Sequence, residues 1–399
     1  MRPNGLSGWA KTPFTDFAIM LQVEEAHDWD ALDPQEWDAL VRASPASSVF
    51  LTYAWLTACW TFLAPGRRLR MLLIRRDGRL VGGLPLAEER TRLRGLPVRK
   101  LLLLTDPVTT NVRSDLVAPE NSSECLDAVI HHLRSRRSSW DVLHLDSLPA
   151  TSPLLTSRNF FRMASPEKYW VLHRLAVTGS WEEYLAGQTT HFCEHYRRER
   201  AKLVRLGDVD AEFADTPQAV AEAVDVFFRV EAASGKQQRA DYTPLQGALK
   251  QYYYQLFRNL AAARYALVAT LKLNGEPVAS ILAAQLNGTI YTLNDVFDQR
   301  LRKQYAGHYL RGELVRYAWQ QGYRAVDFNG YGSHIERWRT QGQPHYRLIA
   351  YSPSWYGGLL AVYKRKLVPT LRRYFPAPVP PQKPGDRGIT DQLDASAPA

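Results

Sequence analysis

Two tight turns in different halves of the chain are flanked by the same pattern of apolar residues, and this repetition restricts the fold more than any other feature. Asp77-Gly78 and Asn274-Gly275 each separate two apolar segments of alternating character. Both positions of a two-residue hairpin turn favour positive φ, which Asp, Asn and Gly adopt at low cost. The sequence therefore predicts one β-hairpin over residues 69–88 and a second over residues 265–285.

A second correspondence follows the hairpins in the same order. In each half a helical segment leads to a short apolar strand, at residues 142–145 and again at residues 325–328. Two matches in one order favour an internal duplication over two unrelated α/β halves, which is the alternative. We predict domains at residues 16–175 and 176–375, because a chain of 399 residues usually forms two.

The ends and the bulk composition restrict the location and the partners. The ends, residues 1–15 and the Pro-rich 376–399, are predicted to be flexible tails. The formal net charge of +10 suits an anionic partner, and the three cysteines are too few and too scattered for a disulfide framework. With no apolar segment of about 20 residues and no signal peptide at the start, we expect a cytoplasmic protein without a transmembrane segment.

The region with the most chemical information runs from residue 288 to residue 338. It reads as a strand over 290–297, a basic loop, a helix over 309–320 and a strand over 325–328. A helix that starts after a basic loop offers free N–H groups and a positive dipole end to an anion, and Gly307 would permit close approach. Arg300, Arg302 and Lys303 add positive charge there. The alternative is a solvated basic loop before an ordinary helix.

The same region resembles a known family. The residues concerned are Tyr305-Ala306-Gly307-His308-Tyr309-Leu310, Glu313, residues 322–328 and Glu336-Arg337-Trp338. They resemble the CelD-like acyltransferases of the GNAT superfamily, which are associated with exopolysaccharide or cellulose biosynthesis and have the FemAB-type aminoacyltransferases as structural relatives. Two departures stand out, because Tyr305-Ala306 replaces a Ser-Pro pair and His334-Ile335-Glu336 replaces a stretch with a Lys.

The resemblance implies a tandem, duplicated GNAT-like α/β fold with mixed sheets flanked by helices, and acetyl-CoA or another acyl-CoA as co-substrate. The predicted donor-binding residues all lie in the basic loop and the start of the following helix: Arg300, Arg302, Lys303, Tyr305, Ala306, Gly307 and His308. Arg197 and Arg198 on a basic helix, together with Arg337 and Trp338, are predicted to contact the acceptor.

Transfer of an acyl group to an amine requires a group that removes a proton from the nucleophile. Asp295 and Asp327 are the candidate bases, because they lie at the ends of the strands on either side of the basic loop. Tyr305 and Tyr331 are candidate acids or orienting groups. Each also has a structural explanation, since the aspartates could cap a turn or pair with an Arg and the tyrosines could pack.

Two histidines of the basic helix have the spacing of a zinc motif. His191 and His195 satisfy an H-x-x-E-H pattern, but the segment continues into a run of basic residues, so we expect no metal. The function predicted is acyl-CoA-dependent N-acyl transfer to an amine of a polysaccharide, amino sugar or envelope precursor, with peripheral contact to envelope machinery possible. The alternatives are FemAB-like transfer from aminoacyl-tRNA and a non-catalytic partner of a polysaccharide synthase. DNA is not expected as a partner.

Overall fold

The computed structural model describes residues 21–63, 65–93, 95–104, 113–119, 122–159, 161–236 and 244–363. The predicted tails lie outside these residues. The strands are β1 (Gln22–Ala26), β2 (Arg68–Leu69), β3 (Met71–Arg76), β4 (Arg79–Leu84), β5 (Leu86–Leu93), β6 (Leu96–Leu103), β7 (Val142–Pro149), β8 (Arg162–Ala176), β9 (Val209–Ala214), β10 (Ala266–Leu273), β11 (Glu276–Leu286), β12 (Thr289–Phe297), β13 (Ala325–Asp327) and β14 (Gln341–Tyr351). The helices are α1 (Pro34–Ala43), α2 (Tyr53–Leu63), α3 (Ser122–Ser135), α4 (Trp181–Ala186), α5 (Thr190–Val204), α6 (Pro217–Ala233), α7 (Gly247–Ala262), α8 (Ala306–Gln320), α9 (Ser333–Glu336) and α10 (Trp355–Val362).

Both predicted hairpins are present, as β3–β4 and β10–β11. The turn residues have the expected left-handed conformation, with φ of 50° at Asp77 and 78° at Gly78 in the first turn. The second turn is nearly identical, with φ of 51° at Asn274 and 82° at Gly275. The local turn chemistry was therefore sufficient to locate both hairpins.

Each half also contains one parallel strand pair formed across a helix. In the first half β6 pairs with β7, and α3 connects them; in the second half β12 pairs with β13, and α8 connects them. Each parallel ladder joins only three residue pairs, from Lys100↔Val142 in the first half and from Thr289↔Ala325 in the second. The predicted correspondence between the two halves therefore extends to their topology.

A single mixed sheet runs through both halves. In the described part of the chain, eleven strands follow the order β2-β5-β6-β7-β14-β8-β13-β12-β11-β10-β9, and β1, β3 and β4 form a smaller antiparallel sheet. The two halves exchange strands at the centre. β8, from the first half, pairs with β13, whereas β14, from the end of the second half, pairs with β7. The domain division predicted at residues 175 and 176 stays a prediction, and it falls at the end of β8.

Alternating residues of the second-half strands face two different layers of helices. On β10, Ala266 and Val268 belong to a core shared with α6 and α7, whereas Leu267 and Ala269 belong to a core shared with α5 and α8. This is the alternation expected of a strand buried on both faces. No helix in the described residues is long and apolar enough to cross a membrane.

The first of these cores also joins the two halves. It contains Trp37 and Trp55 from α1 and α2 together with Phe227 and Tyr252 from α6 and α7, all fully or almost fully buried. Because burial of apolar area is the main stabilising contribution to folding, a core shared in this way holds the halves in a fixed relation.

Candidate active site

Strands β12 and β13 separate soon after they pair. Their ladder ends at the pair Tyr291↔Asp327, and the Thr292 hydroxyl then donates to the Phe328 carbonyl at 2.8 Å. At Asn329 the chain turns away through a left-handed residue, with φ of 45°. The backbone of β12 beyond Thr292 therefore borders an opening on the side where β13 had been its neighbour.

A β-bulge in β12 lies at the same place. Asn294 pairs with Leu282 and Thr292 pairs with Ala283, so Leu293 is the additional residue on β12. A bulge bends its strand and redirects the side chains that follow it. Here the redirected residues are Asn294 and Asp295, which line the opening.

The opening contains a cavity of about 230 Å³. Its lining comes from the end of β12, from α8 and from the segment after β13. The polar and charged side chains that line it are Thr292, Asn294, Asp295, Arg311, Asn329, Tyr331 and His334. Of the four predicted catalytic residues, Asp295 and Tyr331 are brought together here.

Asp295 lies among positive charges. Its carboxylate is 2.5 Å from Nη2 of Arg311 and 4.0 Å from Nζ of Lys236 at the end of α6. Burial disfavours the ionised carboxylate, but the charges of Arg311, Lys236 and His334 outweigh this effect and lower the pKa of Asp295 below its usual range. An ionised carboxylate with a low pKa is a weak proton acceptor at neutral pH.

His334 is a second titratable group at the cavity whose pKa is shifted. Burial and the neighbouring Arg311 lower the pKa of His334 below its usual range, and Asp295 only partly offsets them. The imidazole is therefore neutral at pH 7 and has one ring nitrogen free to accept a proton. Tyr331, beside it, stacks on Trp170 with ring centroids 5.7 Å apart.

The predicted donor-binding loop forms a short 3-10 turn, Gln299–Gln304, and the start of α8. Arg302 and Lys303 are exposed, whereas the guanidinium of Arg300 pairs with Asp298 at 2.5 Å. Tyr305 caps α8 in a left-handed conformation, with φ of 62°, and makes no side-chain capping bond. The N–H groups of the first turn have no acceptor within the helix. The Tyr305 side chain does not accept a hydrogen bond from them either.

The start of α8 is packed tightly on β12. Ala306 and Gly307 are buried, and a Cβ added at Gly307 would lie 2.9 Å from the ring of Phe297. This contact between the helix and the strand is a structural explanation for the glycine, and the approach to an anion predicted from the sequence stays a prediction. Tyr305 does not line the cavity; its ring lies 4.7 Å from Nζ of Lys202 on α5.

Two of the remaining predicted residues donate hydrogen bonds to the same buried carboxylate. Glu199 of α5 is 3% exposed and accepts hydrogen bonds from His308, at 2.9 Å, and from both terminal nitrogens of Arg337, at 2.9 and 3.1 Å. Burial opposes its ionisation, but the bonds from His308 and Arg337 lower the pKa of Glu199 to about 2. His308 and Arg337 thus tie α5 to the start of α8 and the end of α9.

The other predicted acceptor contacts lie elsewhere. Trp338 is 3% exposed, packs on Phe192 in the core of the second half and does not line the cavity. Arg197 and Arg198 are exposed on α5. Together with Arg302 and Lys303 they form a set of exposed cations on α5 and the turn before α8, which we call the basic surface.

Asp327, the second candidate base, is separated from the cavity. It is 1% exposed, and its carboxylate accepts from Nη1 of Arg113, a residue of the first half, at 2.7 Å. Its backbone neighbours Phe328 and Asn329 line the cavity, whereas Asp327 itself does not. An aspartate held in a buried ion pair has a structural role and is not available to a substrate in the cavity.

A family model and several solved structures are similar to this chain. Residues 191–355 match the family model Acetyltransf_6, described as the acetyltransferase (GNAT) domain. The matched range contains β12, α8 and β13, and with them most of the cavity lining. A search of curated proteins gives no match.

Solved structures agree on the fold. A structure titled as that of FemX superposes with a TM-score of 0.60 at 13% identity, over 82% of this chain and 96% of that one. The C-terminal domain of a putative lysylphosphatidylglycerol synthetase from Agrobacterium fabrum gives 0.53 at 11% identity, over 84% and 96%. L-PGS from Bacillus licheniformis gives 0.51 at 13%, over 83% and 96%. The predicted fold class, two GNAT-like α/β halves with mixed sheets and flanking helices, is confirmed.

Three residues at the site were not predicted from the sequence. Arg311 and His334 line the cavity, and Lys236 lies beside it. Arg311 belongs to α8 and Lys236 lies three residues beyond the end of α6, and only the packing of these elements on β12 brings the two side chains to Asp295. His334 did have a signal, because it stands in the stretch where the resembling family has a lysine. A change of residue type at that position pointed to a change in the chemistry of the site.

Proposed function

We propose that the second half transfers an acyl group from acyl-CoA to an amine in the cavity between β12 and β13. The observation that carries the proposal is the separation of these strands over a cavity that holds Asp295, Arg311 and His334. A thioester placed there would have the backbone of β12 on one side and a neutral imidazole on the other. The match of residues 191–355 to a GNAT domain supports the same chemistry.

The donor's phosphates would bind at the start of α8. Its first-turn N–H groups and the dipole of a 15-residue helix favour an anion, and the exposed Arg302 and Lys303 lie on the turn just before it. Arg300 contributes less, because Asp298 already pairs with its guanidinium. The loop predicted from the sequence remains our proposal for the donor site, with Arg302 and Lys303 as its charged residues.

In the transfer step the amine nitrogen attacks the thioester carbonyl carbon, and the C–S bond breaks as the thiolate leaves. His334 accepts the proton that the nitrogen loses, and the thiolate is then protonated from His334 or water. The positive charges of Arg311 and Lys236 exceed that of the single ionised Asp295, so the cavity favours the oxyanion of the intermediate. Asp295, with its lowered pKa, positions Arg311 and is not the base.

The acceptor class rests on the sequence resemblance to CelD-like acyltransferases, which favours an amine of an amino sugar or an envelope polysaccharide precursor. Acyl-CoA is a cytoplasmic metabolite, so the proposal includes a cytoplasmic location and, at most, peripheral contact with envelope machinery. FemAB-like transfer from aminoacyl-tRNA is the second candidate. The basic surface favours it to the same extent, because phosphates of either donor would bind there.

Calorimetric titration with acetyl-CoA and with free CoA tests the donor. We expect micromolar binding that weakens at least tenfold in an Arg302→Ala, Lys303→Ala variant. The matched control is Arg134→Ala, Arg136→Ala, which removes two exposed arginines from the end of the first-half helix α3 and its flank. Equal weakening in both variants would mean that the effect comes from net charge alone. If neither acetyl-CoA nor free CoA binds, acyl-CoA is excluded as the donor.

Titration with aminoacyl-tRNA separates the second candidate from the first. A tRNA donor predicts an affinity that falls steeply with salt, because several phosphate contacts release counterions. Saturable tRNA binding without acetyl-CoA binding would replace the proposed donor. A folded protein that binds neither donor would instead support the non-catalytic role.

A further inference from the structure

A second cavity, of about 330 Å³, lies where the two halves meet. It is lined by the segment between α1 and α2, by residues 113–115, by the end of β7 and by β8 and β14. Its titratable lining residues are Arg113, Asp115, Arg174 and His345. None of the residues assigned to the proposed acyl transfer lines this cavity.

Arg113 lines this cavity, and one edge of its guanidinium is unused. Nη1 donates to Asp327, while Nε and Nη2 are buried and have no hydrogen-bond partner among the residues that the structure describes. The guanidinium is also held between the rings of Phe50 and Tyr291, 5.6 and 5.8 Å from their centroids. Nε and Nη2 lie on one side of the group, in the paired geometry that binds two oxygens of a carboxylate or phosphate.

Two further polar groups at the cavity are also without a partner in the described part of the chain. They are the hydroxyl of Ser114, in a residue 1% exposed, and Nε2 of His345, also 1% exposed. The other ring nitrogen of His345 lies 3.0 Å from the Gln343 carbonyl, so Nδ1 carries the proton and Nε2 is an acceptor. Burial and the nearby Arg113 lower the pKa of His345 to about 4, which keeps the ring neutral.

Unsatisfied buried polar groups are costly, at roughly 1–3 kcal/mol each, and they are rare in folded proteins. Four such atoms belong to three residues that line one cavity, and a ligand bound there would supply their partners once small shifts of these side chains expose them to it. The free edge of Arg113 requires two acceptor oxygens, Ser114 can donate or accept, and Nε2 of His345 requires a donor. Arg174 adds a second positive charge to the lining.

We propose that this cavity binds a small anion: a carboxylate or phosphate group held by Nε and Nη2 of Arg113 and by Ser114, with an attached hydroxyl or N–H group that donates to Nε2 of His345. The site is independent of the acyl-transfer proposal. It is connected to the candidate active site through Asp327, which pairs with Arg113 and precedes two residues that line the other cavity.

The test is calorimetric titration at pH 6 in a buffer free of phosphate and carboxylates. The probes are inorganic phosphate, glycerol 3-phosphate, glycolate and acetate. Asp115, the only acidic residue lining the cavity in the described chain, is largely protonated at pH 6, because burial raises the pKa of Asp115 to about 7. We expect saturable binding of glycolate or glycerol 3-phosphate, tighter than that of acetate or inorganic phosphate, which lack a hydroxyl on carbon.

Arg113→Lys is the decisive variant, because Lys keeps the charge beside Asp327 but lacks the paired N–H groups. We expect Kd to rise at least tenfold, while the exposed control Arg134→Lys leaves Kd unchanged. Ser114→Ala removes one hydroxyl without disturbing the ion pair and should raise Kd about threefold. This variant provides the test of the site if Arg113→Lys does not fold.

Absence of saturable binding by all four probes overturns the proposal, as does a Kd that is the same in the wild type, Arg113→Lys and Ser114→Ala. Preference for glycolate identifies a carboxylate ligand, and preference for glycerol 3-phosphate identifies a phosphate ester. Acetyl-CoA binding, measured on the same variants, should not change, so failure of this site is distinguishable from failure of the acyl-transfer proposal.

Discussion

Arg113 and Asp327 form a buried ion pair across the two halves, with Nη1 and Oδ2 2.7 Å apart and the side chains only 12% and 2% exposed. Removal of one partner leaves the other charge buried and unpaired, which usually costs about 3–5 kcal/mol. We therefore expect Arg113→Ala to lower the free energy of unfolding by that amount in urea titrations. Arg75→Ala, which removes an exposed pair with Glu24, serves as control and should cost less than about 1 kcal/mol.

The double variant Arg113→Ala, Asp327→Asn distinguishes an unpaired charge from lost packing. It removes both charges but leaves the space between Phe50 and Tyr291 as empty as in Arg113→Ala. We expect it to be more stable than Arg113→Ala. A double variant as unstable as Arg113→Ala would assign the loss to packing, and the ion pair would not be the reason that these residues face each other.

The proton acceptor in the candidate active site can be tested by the pH dependence of the rate. His334 must be neutral to act, and its pKa is below the usual value because of burial and Arg311. Protonation of the acceptor amine slows every variant alike, so the ratio of the wild-type rate to that of His334→Ala is the informative quantity. This ratio should be constant near pH 7 and should fall as the pH drops through the lowered pKa of His334. His334→Ala should reduce kcat by about 10²–10⁴ and leave acetyl-CoA binding intact.

Asp295→Asn supplies the contrast for this prediction. If Asp295 positions Arg311 and is not the base, the variant should be less active, and its rate should still fall at low pH, but at a lower pH than in the wild type, because Asp295 no longer raises the pKa of His334. A fall that disappears in Asp295→Asn and persists in His334→Ala would reverse the two roles.

The parts of the fold that depend on neighbouring residues could be predicted from the sequence. The turns at Asp77-Gly78 and Asn274-Gly275, and the strand that contains Asp295, follow from residues next to one another in the chain. The exchange of β8 and β14 could not be predicted, because each strand pairs with a partner from the other half and no local signal selects it. Arg113 was missed for the same reason, since its partner Asp327 is 214 residues away.

The glycine at the start of α8 can be tested through its contact with Phe297. A Cβ at this position would lie 2.9 Å from the aromatic ring, and overpacking of this kind usually costs about 1–3 kcal/mol. Gly307→Ala should lower the free energy of unfolding by that amount, and the added variant Phe297→Leu should recover part of it. Weaker acetyl-CoA binding without loss of stability would instead restore the role at the anion site that the sequence suggested.

Asp115 makes the stability of the protein depend on pH in an unusual direction. Burial raises the pKa of its carboxyl to about 7, although Ser152 and the Leu116 amide donate to it. The folded protein therefore keeps a proton that the unfolded chain releases near pH 4, so this group lowers stability as the pH rises from about 4 to about 7. The contribution has an upper limit of roughly 4 kcal/mol, since one pKa unit corresponds to about 1.4 kcal/mol.

His345 acts in the opposite direction over part of this range, so the wild type alone cannot show the effect. Its pKa is lowered to about 4, and the stability that its neutral form contributes is lost as the pH falls through about 6.5 to 4. The measurement is the difference in unfolding free energy between Asp115→Asn and the wild type at several pH values. That difference should increase in favour of the variant from pH 4 to pH 7 and then level off, whereas a difference independent of pH would mean that Asp115 ionises at its ordinary pKa.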